Sequence, residues 1–208
     1  MNKSIGQTPK KMLNYMMVKK EYFTKGSFIM DKFYEVDING VKAQLPLIAL
    51  SEKITIAFFN LHGDALLTEH CGKELAKLVG DSEVLITAES KGLQLTHVVA
   101  RESKLFDYAV ARKSKKLYMN DGISVDYGSS ITTGKPQQFF LSAKDVALIK
   151  GKKVCIVDDV LSTGTSLDGL EKLVEKAGGI VYKKLFVLAE GDSKDRPDVN
   201  YLATIPLF

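Results

Sequence analysis

From residue 64 onward, short apolar runs alternate with amphipathic segments of helical period. No other feature constrains the fold of this chain as tightly. Asp64 is placed to cap a helix over 65–79, with Leu67, Cys71, Leu75 and Leu78 on one face and Gly80 as its terminator. EVLITA (83–88) reads as a buried strand, followed by a four-residue turn and a helical stretch to about residue 102. FDYAVA (106–111) reads as another strand, 137–141 as a returning one, and Ser142 as the cap of a short helix. VCIV (154–157) is a buried strand, and 165–177 a helix with Leu167, Leu170, Leu173, Val174 and Ala177 on one face. A last strand is predicted over about 180–189. Such alternation implies right-handed crossovers, hence an α/β fold with a mainly parallel sheet flanked by helices. Ligands of these sheets bind beyond the carboxyl ends of the strands. Three chemically loaded segments fall there: 89–92, 112–116 and 158–166.

The first 62 residues lack that alternation and are expected to form a small N-terminal hood beside a core of residues 63–208. Residues 1–27 are polar and rich in Lys and Met, whereas 28–62 read as short strands around an Asn39-Gly40 hairpin turn. Residues 117–136 hold several Gly, Ser and Thr with little periodicity, a pattern expected of a functional or mobile segment. His62, His70 and His97 have no ligand spacing, and with only two cysteines they do not supply a zinc framework. Cys71 and Cys155 sit in apolar patterns, as reduced core thiols do. The apolar runs are too short to span a bilayer, and the basic first residues lack the apolar stretch of a secretory signal. A soluble cytoplasmic protein is expected. The net charge of +4, from 29 basic and 25 acidic side chains, suits a small anionic substrate and does not call for a nucleic acid.

The chemistry concentrates in VCIVDDVLSTGTS (154–166): a buried strand, two acids, a small hydroxylated loop and a helix. Ser162, Thr163, Thr165 and Ser166 offer hydroxyls, Gly164 admits close backbone approach, and the helix presents N–H groups and its positive dipole end. That is a cradle for phosphate. Asp158 and Asp159 cannot bind phosphate themselves but suit sugar hydroxyls or a hydrated magnesium ion. A phosphorylated sugar satisfies both halves, while an acidic loop that merely caps the helix is the plainer alternative. The spacing of a Walker-type P-loop and the Gly-rich dinucleotide fingerprint are both absent.

This segment resembles the phosphoribosyl-pyrophosphate (PRPP) motif of type I phosphoribosyltransferases, and the likeness extends over roughly 83–190. It is closest to the purine branch, adenine phosphoribosyltransferases above all, and is also similar to xanthine phosphoribosyltransferases and to the effector domain of a bacterial purine repressor. The resemblance implies an enzyme that transfers the phosphoribosyl group of PRPP to a purine base with Mg²⁺, as a homodimer. It implies that Ser162, Thr163, Gly164, Thr165 and Ser166 hold the 5′-phosphate and that Asp158 and Asp159 serve the ribose. Mg²⁺ would be held by PRPP and water, not by the protein directly. Glu89-Ser90-Lys91-Gly92 is similar to the pyrophosphate loop of the adenine enzymes, which contains a cis peptide; here that bond would join Glu89 to Ser90. Arg112, Lys113 and Lys116, in a run of four cations, would meet pyrophosphate too, the alternatives being a solvated loop or a nucleic-acid patch. Asp126-Tyr127-Gly128 is similar to the Glu-Tyr-Gly of a closing lid, which makes 117–136 the lid and Asp126 a candidate for proton transfer with the base. The hood departs from the adenine enzymes, carrying KFYEVDINGVKAQLPLI (32–48) where they have a Phe-Arg-Asp segment. Phe28, Phe33 and Tyr34 are candidates for the purine wall, and Phe58-Phe59 for a hood strand.

Overall fold

The computed structural model describes residues 32–52, 54–129 and 136–208; the basic Met-rich segment and Phe28 lie outside the described residues. Three short strands come first: β1 (Phe33–Ile38), β2 (Val41–Ala49) and β3 (Thr55–Ala57), an antiparallel sheet in that order. The β1–β2 turn falls at Asn39-Gly40, and both residues have positive φ, 50° and 90°. Two successive left-handed residues are what a tight hairpin requires, and Asn and Gly are the residues that tolerate them. The last residue closes this sheet, because Phe208 and Thr55 exchange backbone hydrogen bonds of 2.9 and 3.1 Å.

The main sheet uses β4 (Val84–Ala88), β5 (Tyr108–Ala111), β8 (Lys153–Leu161), β9 (Ile180–Glu190) and β10 (Asn200–Ile205). Its order is β10-β9-β8-β4-β5, and every neighbouring pair is parallel. Helices α1 (Ala65–Ala76), α2 (Leu93–Ser103), α3 (Ala143–Ile149) and α4 (Thr165–Lys176) flank it. Strand alternation sorts two cores. Leu85, Cys155, Val157, Leu185 and Val187 face α1, α2 and the small sheet. Val84, Ile86, Val154, Ile156 and Phe186 face α4 and the hairpin of β6 (Ile123–Ser129) and β7 (Pro136–Leu141). The small sheet thus covers one face of the main sheet, and Val36, Ile38, Leu45 and Phe59 join the same core as Leu75 and Leu85. Burial pushes both thiols, Cys71 and Cys155, up to about 12, so they stay protonated at neutral pH.

Several expected boundaries shift. Asp64 caps α1 by accepting the Leu67 N–H at 3.1 Å, but the helix ends at Ala76, a turn before Gly80. Leu78 consequently lies off the buried face. Strand β5 starts at Tyr108, where pairing with Leu85 begins, and Phe106 is exposed. Strand β8 continues through both aspartates to Leu161, because β9 pairs with it up to Ala189. Phe58 and Phe59 follow β3 and are not part of it. The polar segment 117–136 contains a strand, β6, and residues 130–135 lie outside the described residues. The chain does not end its sheet at β9: β10 adds an edge strand.

Candidate active site

Three strand ends meet at one edge of the sheet. At the end of β8, Asp159 is buried and Asp158 half-buried, and Asp158 Oδ1 accepts the Asp159 N–H at 2.9 Å. Burial, and then the Asp159 carboxylate beside it, push the Asp158 carboxyl up to about 7. Asp159 Oδ2 accepts no hydrogen bond among the described residues and faces Lys91 Nζ at 3.5 Å, an ion-pair distance. A buried carboxylate oxygen left without a donor is costly unless a ligand or its water completes it.

The turn after β4 delivers that lysine. It spans Glu89 to Gly92, with a cis peptide between Glu89 and Ser90 as the resemblance implies. Lys91 also donates to Phe59 O at 3.4 Å and lies 5.0 Å above the Phe58 ring. It therefore joins the segment after β3 to the acid pair. Gly92 is forced by proximity: an ideal Cβ there would meet Thr87 Oγ1 at 2.2 Å and Asp158 Oδ1 at 2.8 Å.

The end of β5 delivers the basic run. Glu89 Oε2 pairs with Arg112 Nε at 2.8 Å, and Glu89 Oε1 accepts the Lys113 N–H at 2.6 Å. Glu89 therefore organises the cations, with both carboxylate oxygens engaged. Arg112 and Phe140 exchange backbone hydrogen bonds, which ties β5 to β7. The positive charge of Lys113 acts on Asp158, opposing its upward shift. Lys116 donates to Ser114 Oγ at 2.9 Å on the exposed side of the run.

Loop 162–164 then leads into α4. Gly164 has φ +83° at the N-cap, the left-handed conformation that favours glycine. The hydroxyls of Thr163 and Thr165 are 3.0 Å apart at the helix N-terminus, with Ser166 exposed beside them. The arrangement sets hydroxyls and a helix N-terminus next to two carboxylates, a geometry suited to an anion.

A model of the phosphoribosyl transferase domain matches residues 64–204. The chain is 33% identical over 150 residues to the xanthine phosphoribosyltransferase of Exiguobacterium sp., covering 67% of this chain and 76% of that protein. It is also 33% identical over 135 residues to the adenine phosphoribosyltransferase of Methanococcus maripaludis, covering 64% and 74%. The chain belongs to the phosphoribosyltransferase family. Its fold is similar to that of the adenine phosphoribosyltransferase of Thermoanaerobacter pseudethanolicus, with a TM-score of 0.59 at 22% identity over 85% of this chain and 98% of that one.

Seen as a phosphoribosyltransferase, the chain brings together the acid pair, the 89–92 turn, Arg112, Lys113 and the hydroxyl loop. The hairpin departs from expectation. Tyr127 is buried, its ring stacked on Phe139 at 3.9 Å, so it clamps β6 onto α4 and is not free to cover a ligand. Gly128 does reach the site, since a Cβ there would meet Thr165 Cγ2 at 2.8 Å. Asp126 is exposed, and its Oδ1 accepts a hydrogen bond from Gln138 Nε2 at 2.7 Å. Two residues beside the cradle have no motif to announce them. Ser162 Oγ donates to Glu190 Oε2 at 2.5 Å, and the Arg196 guanidinium lies against Gly164. Glu190 ends β9, and Arg196 comes from the connection between β9 and β10.

Proposed function

We infer that the chain is a purine phosphoribosyltransferase. It transfers the 5-phosphoribosyl group of PRPP to a ring nitrogen of a purine, giving a nucleoside monophosphate and pyrophosphate. The observation that carries this is the convergence of a buried acid pair, a cationic turn and a hydroxylated helix N-terminus at one sheet edge. Ser162 to Ser166 receive the 5′-phosphate. Ser90, Lys91, Gly92, Arg112 and Lys113 receive pyrophosphate, with Lys116 at its outer edge. Asp158 and Asp159 take the ribose hydroxyls and oppose the positive charge that grows on the ring. The bond from C1 to the pyrophosphate oxygen breaks, the electron pair leaves with pyrophosphate, and the purine nitrogen forms the new bond to C1. The purine nitrogen then gives up its proton, for which Asp126 is the candidate acceptor.

Mg²⁺ would neutralise the pyrophosphate when bound. Two adjacent carboxylates, with one oxygen that accepts no hydrogen bond among the described residues, suit the water shell of an ion carried by PRPP. Among the described residues no three His, Cys, Asp or Glu side chains gather as a direct site. Adenine is the proposed base, on the likeness of the 89–92 turn and the 126–128 segment to the adenine enzymes, with xanthine, hypoxanthine and guanine as the alternatives. Phe58, beside Lys91, is a candidate for the purine wall. A cytoplasmic homodimer belongs to the same proposal: exposed Phe106, Leu117 and Tyr118 border the basic run at the β5 edge. Among the described residues no helix is long and apolar enough to cross a membrane.

The test is pyrophosphate release from PRPP and Mg²⁺ with each purine in turn. Turnover with adenine supports the full proposal, and turnover with another purine alone reassigns the base. PRPP binding without turnover on any purine overturns the enzyme in favour of a sensor.

A further inference from the structure

We infer that Arg196 supplies the cation of the 5′-phosphate subsite and that Asp198 is the residue that aims it. This rests on the phosphoribosyltransferase reading above. Residues 162–166 contain hydroxyls and a glycine but no cation. They are bordered by two carboxylates: Glu190, 2.5 Å from Ser162 Oγ, and Asp168 in the first turn of α4. A phosphate monoester carries about −1.5 to −2 charges at pH 7. A helix N-terminus offers only about half a positive charge against it. The cradle alone therefore leaves a dianion facing two anions.

Arg196 stands where the missing charge belongs. An ideal Cβ on Gly164 would lie 3.0 Å from its Nη1, so the guanidinium rests on the turn of the loop. Asp198 accepts Nε at 3.1 Å and Nη2 at 2.9 Å, a two-point grip that fixes the plane of the fork. Nη1 is left on the loop side, 3.7 Å from Asp168 Oδ1. Lys184 braces Asp198 from behind at 2.5 Å and also pairs with Glu171. Arg196, and then Lys184, hold the Asp198 carboxyl far below its usual range, so it stays anionic at any working pH. The backbone is fixed as well. The Arg196 N–H donates to Ser193 O at 3.3 Å, and the buried Ser193 Oγ lies 2.8 Å from Leu161 O at the end of β8. The arm that carries Arg196 is thus bolted to the strand that carries the acid pair.

The experiment measures inhibition by ribose 5-phosphate and, separately, by pyrophosphate, in the wild-type chain and in Arg196→Met. Ribose 5-phosphate should bind about tenfold to a hundredfold more weakly, the size of a lost hydrogen bond between charged groups, while pyrophosphate affinity stays within about twofold. PRPP KM should rise with the first and kcat change little. Arg196→Lys, which keeps the charge but loses the fork, should fall between the two. Equal loss for both inhibitors, or loss for neither, overturns the assignment. If Arg196→Met does not fold, the comparison is read on Arg196→Lys, and unchanged ribose 5-phosphate affinity there overturns it. A wild-type chain that binds neither inhibitor refutes the family function instead, and the two failures are distinct.

Discussion

Two arms of chain meet at loop 162–164, and they are built on different logic. The β8–α4 arm is local: strand, acids, loop and helix follow one another within 154–166. The β9–β10 arm is assembled from parts that the sequence scatters, with Glu190 on Ser162, Arg196 on Gly164, and Lys184 behind Asp198. Under the proposed function, the first arm carries the acids that serve the reacting ribose, and the second adjusts charge around a phosphate that does not react. The two should therefore differ in which kinetic parameter they control, since groups that act equally on substrate and transition state move KM and not kcat.

The sharpest way to break that contrast is Asp159→Asn. The side chain keeps its shape but loses the charge that faces Lys91 and, under the proposed function, the ribose. A drop of about 10²- to 10³-fold in kcat is expected, with PRPP KM moved far less. Steady-state rates over a PRPP series would show it. A loss confined to KM would erase the distinction between the arms. Arg196→Met, the counterpart on the other arm, should show the reverse pattern.

A smaller effect is expected where the hairpin meets α4. Tyr127 is buried against Phe139, and its Cβ lies 2.4 Å from where a Cβ on Gly169 would be. Tyr127→Ala removes this clamp and should cost about 2–4 kcal/mol in denaturant unfolding, as large-to-small core changes do. If Tyr127 instead served mainly as a mobile cover, stability would hardly change and PRPP KM alone would rise.

The contrast between the arms is also one of legibility. VCIV and the acid pair stood out because a buried run ending in two carboxylates needs a reason. What the local pattern could not convey was that β9 keeps pairing with β8 past the acids, which places Asp158 and Asp159 inside a strand. Glu190 and Arg196 were invisible for a stronger reason. Their partners lie 28 or more positions away, and no periodicity encodes a long-range contact. β10 was missed because the charged stretch before it, GDSKDRPD, interrupts the strand–helix alternation. β6 is a different kind of miss: Ile123, Val125 and Tyr127 alternate with Ser124, Asp126 and Gly128, so a period of two was present in a segment judged by its Gly and Ser content. The hood turn at Asn39-Gly40 was readable because two left-handed residues leave a plain chemical mark.

The pH response separates the two arms further. Asp158 is pushed up to about 7 from its ordinary 3.8, by burial first and by Asp159 second. A folded-state value above the unfolded one means the folded chain holds the proton more tightly. The stability this contributes is fully present below pH 3.8 and is lost as pH rises through about 7. Asp158→Asn has no proton to lose. It should therefore be more stable than the native chain at pH 8, by about 1–2 kcal/mol, with the gap closing toward pH 4. Urea unfolding at pH 4, 6 and 8 reads the slope, and a gap that does not vary with pH would show that Asp158 is not the group that titrates. Asp198, held low, should give the β9–β10 arm no such dependence across this window.

The smallest effect is the one that tests the second arm from the opposite side. Glu190 accepts the Ser162 hydroxyl at 2.5 Å, which both occupies a donor the phosphate could use and places an anion beside it. Glu190→Gln keeps an acceptor for that hydroxyl and removes the charge. If the arm sets the electrostatic balance of the subsite, ribose 5-phosphate should bind the variant about two- to fivefold more tightly, a partly screened interaction between like charges. The gain should shrink in 0.5 M salt, by the same screening. Pyrophosphate, bound at the other end of the site, should not respond. Weaker ribose 5-phosphate binding would mean that Glu190 matters by holding Ser162 in place, and the β9–β10 arm would then be a scaffold for the loop and not a tuner of its charge.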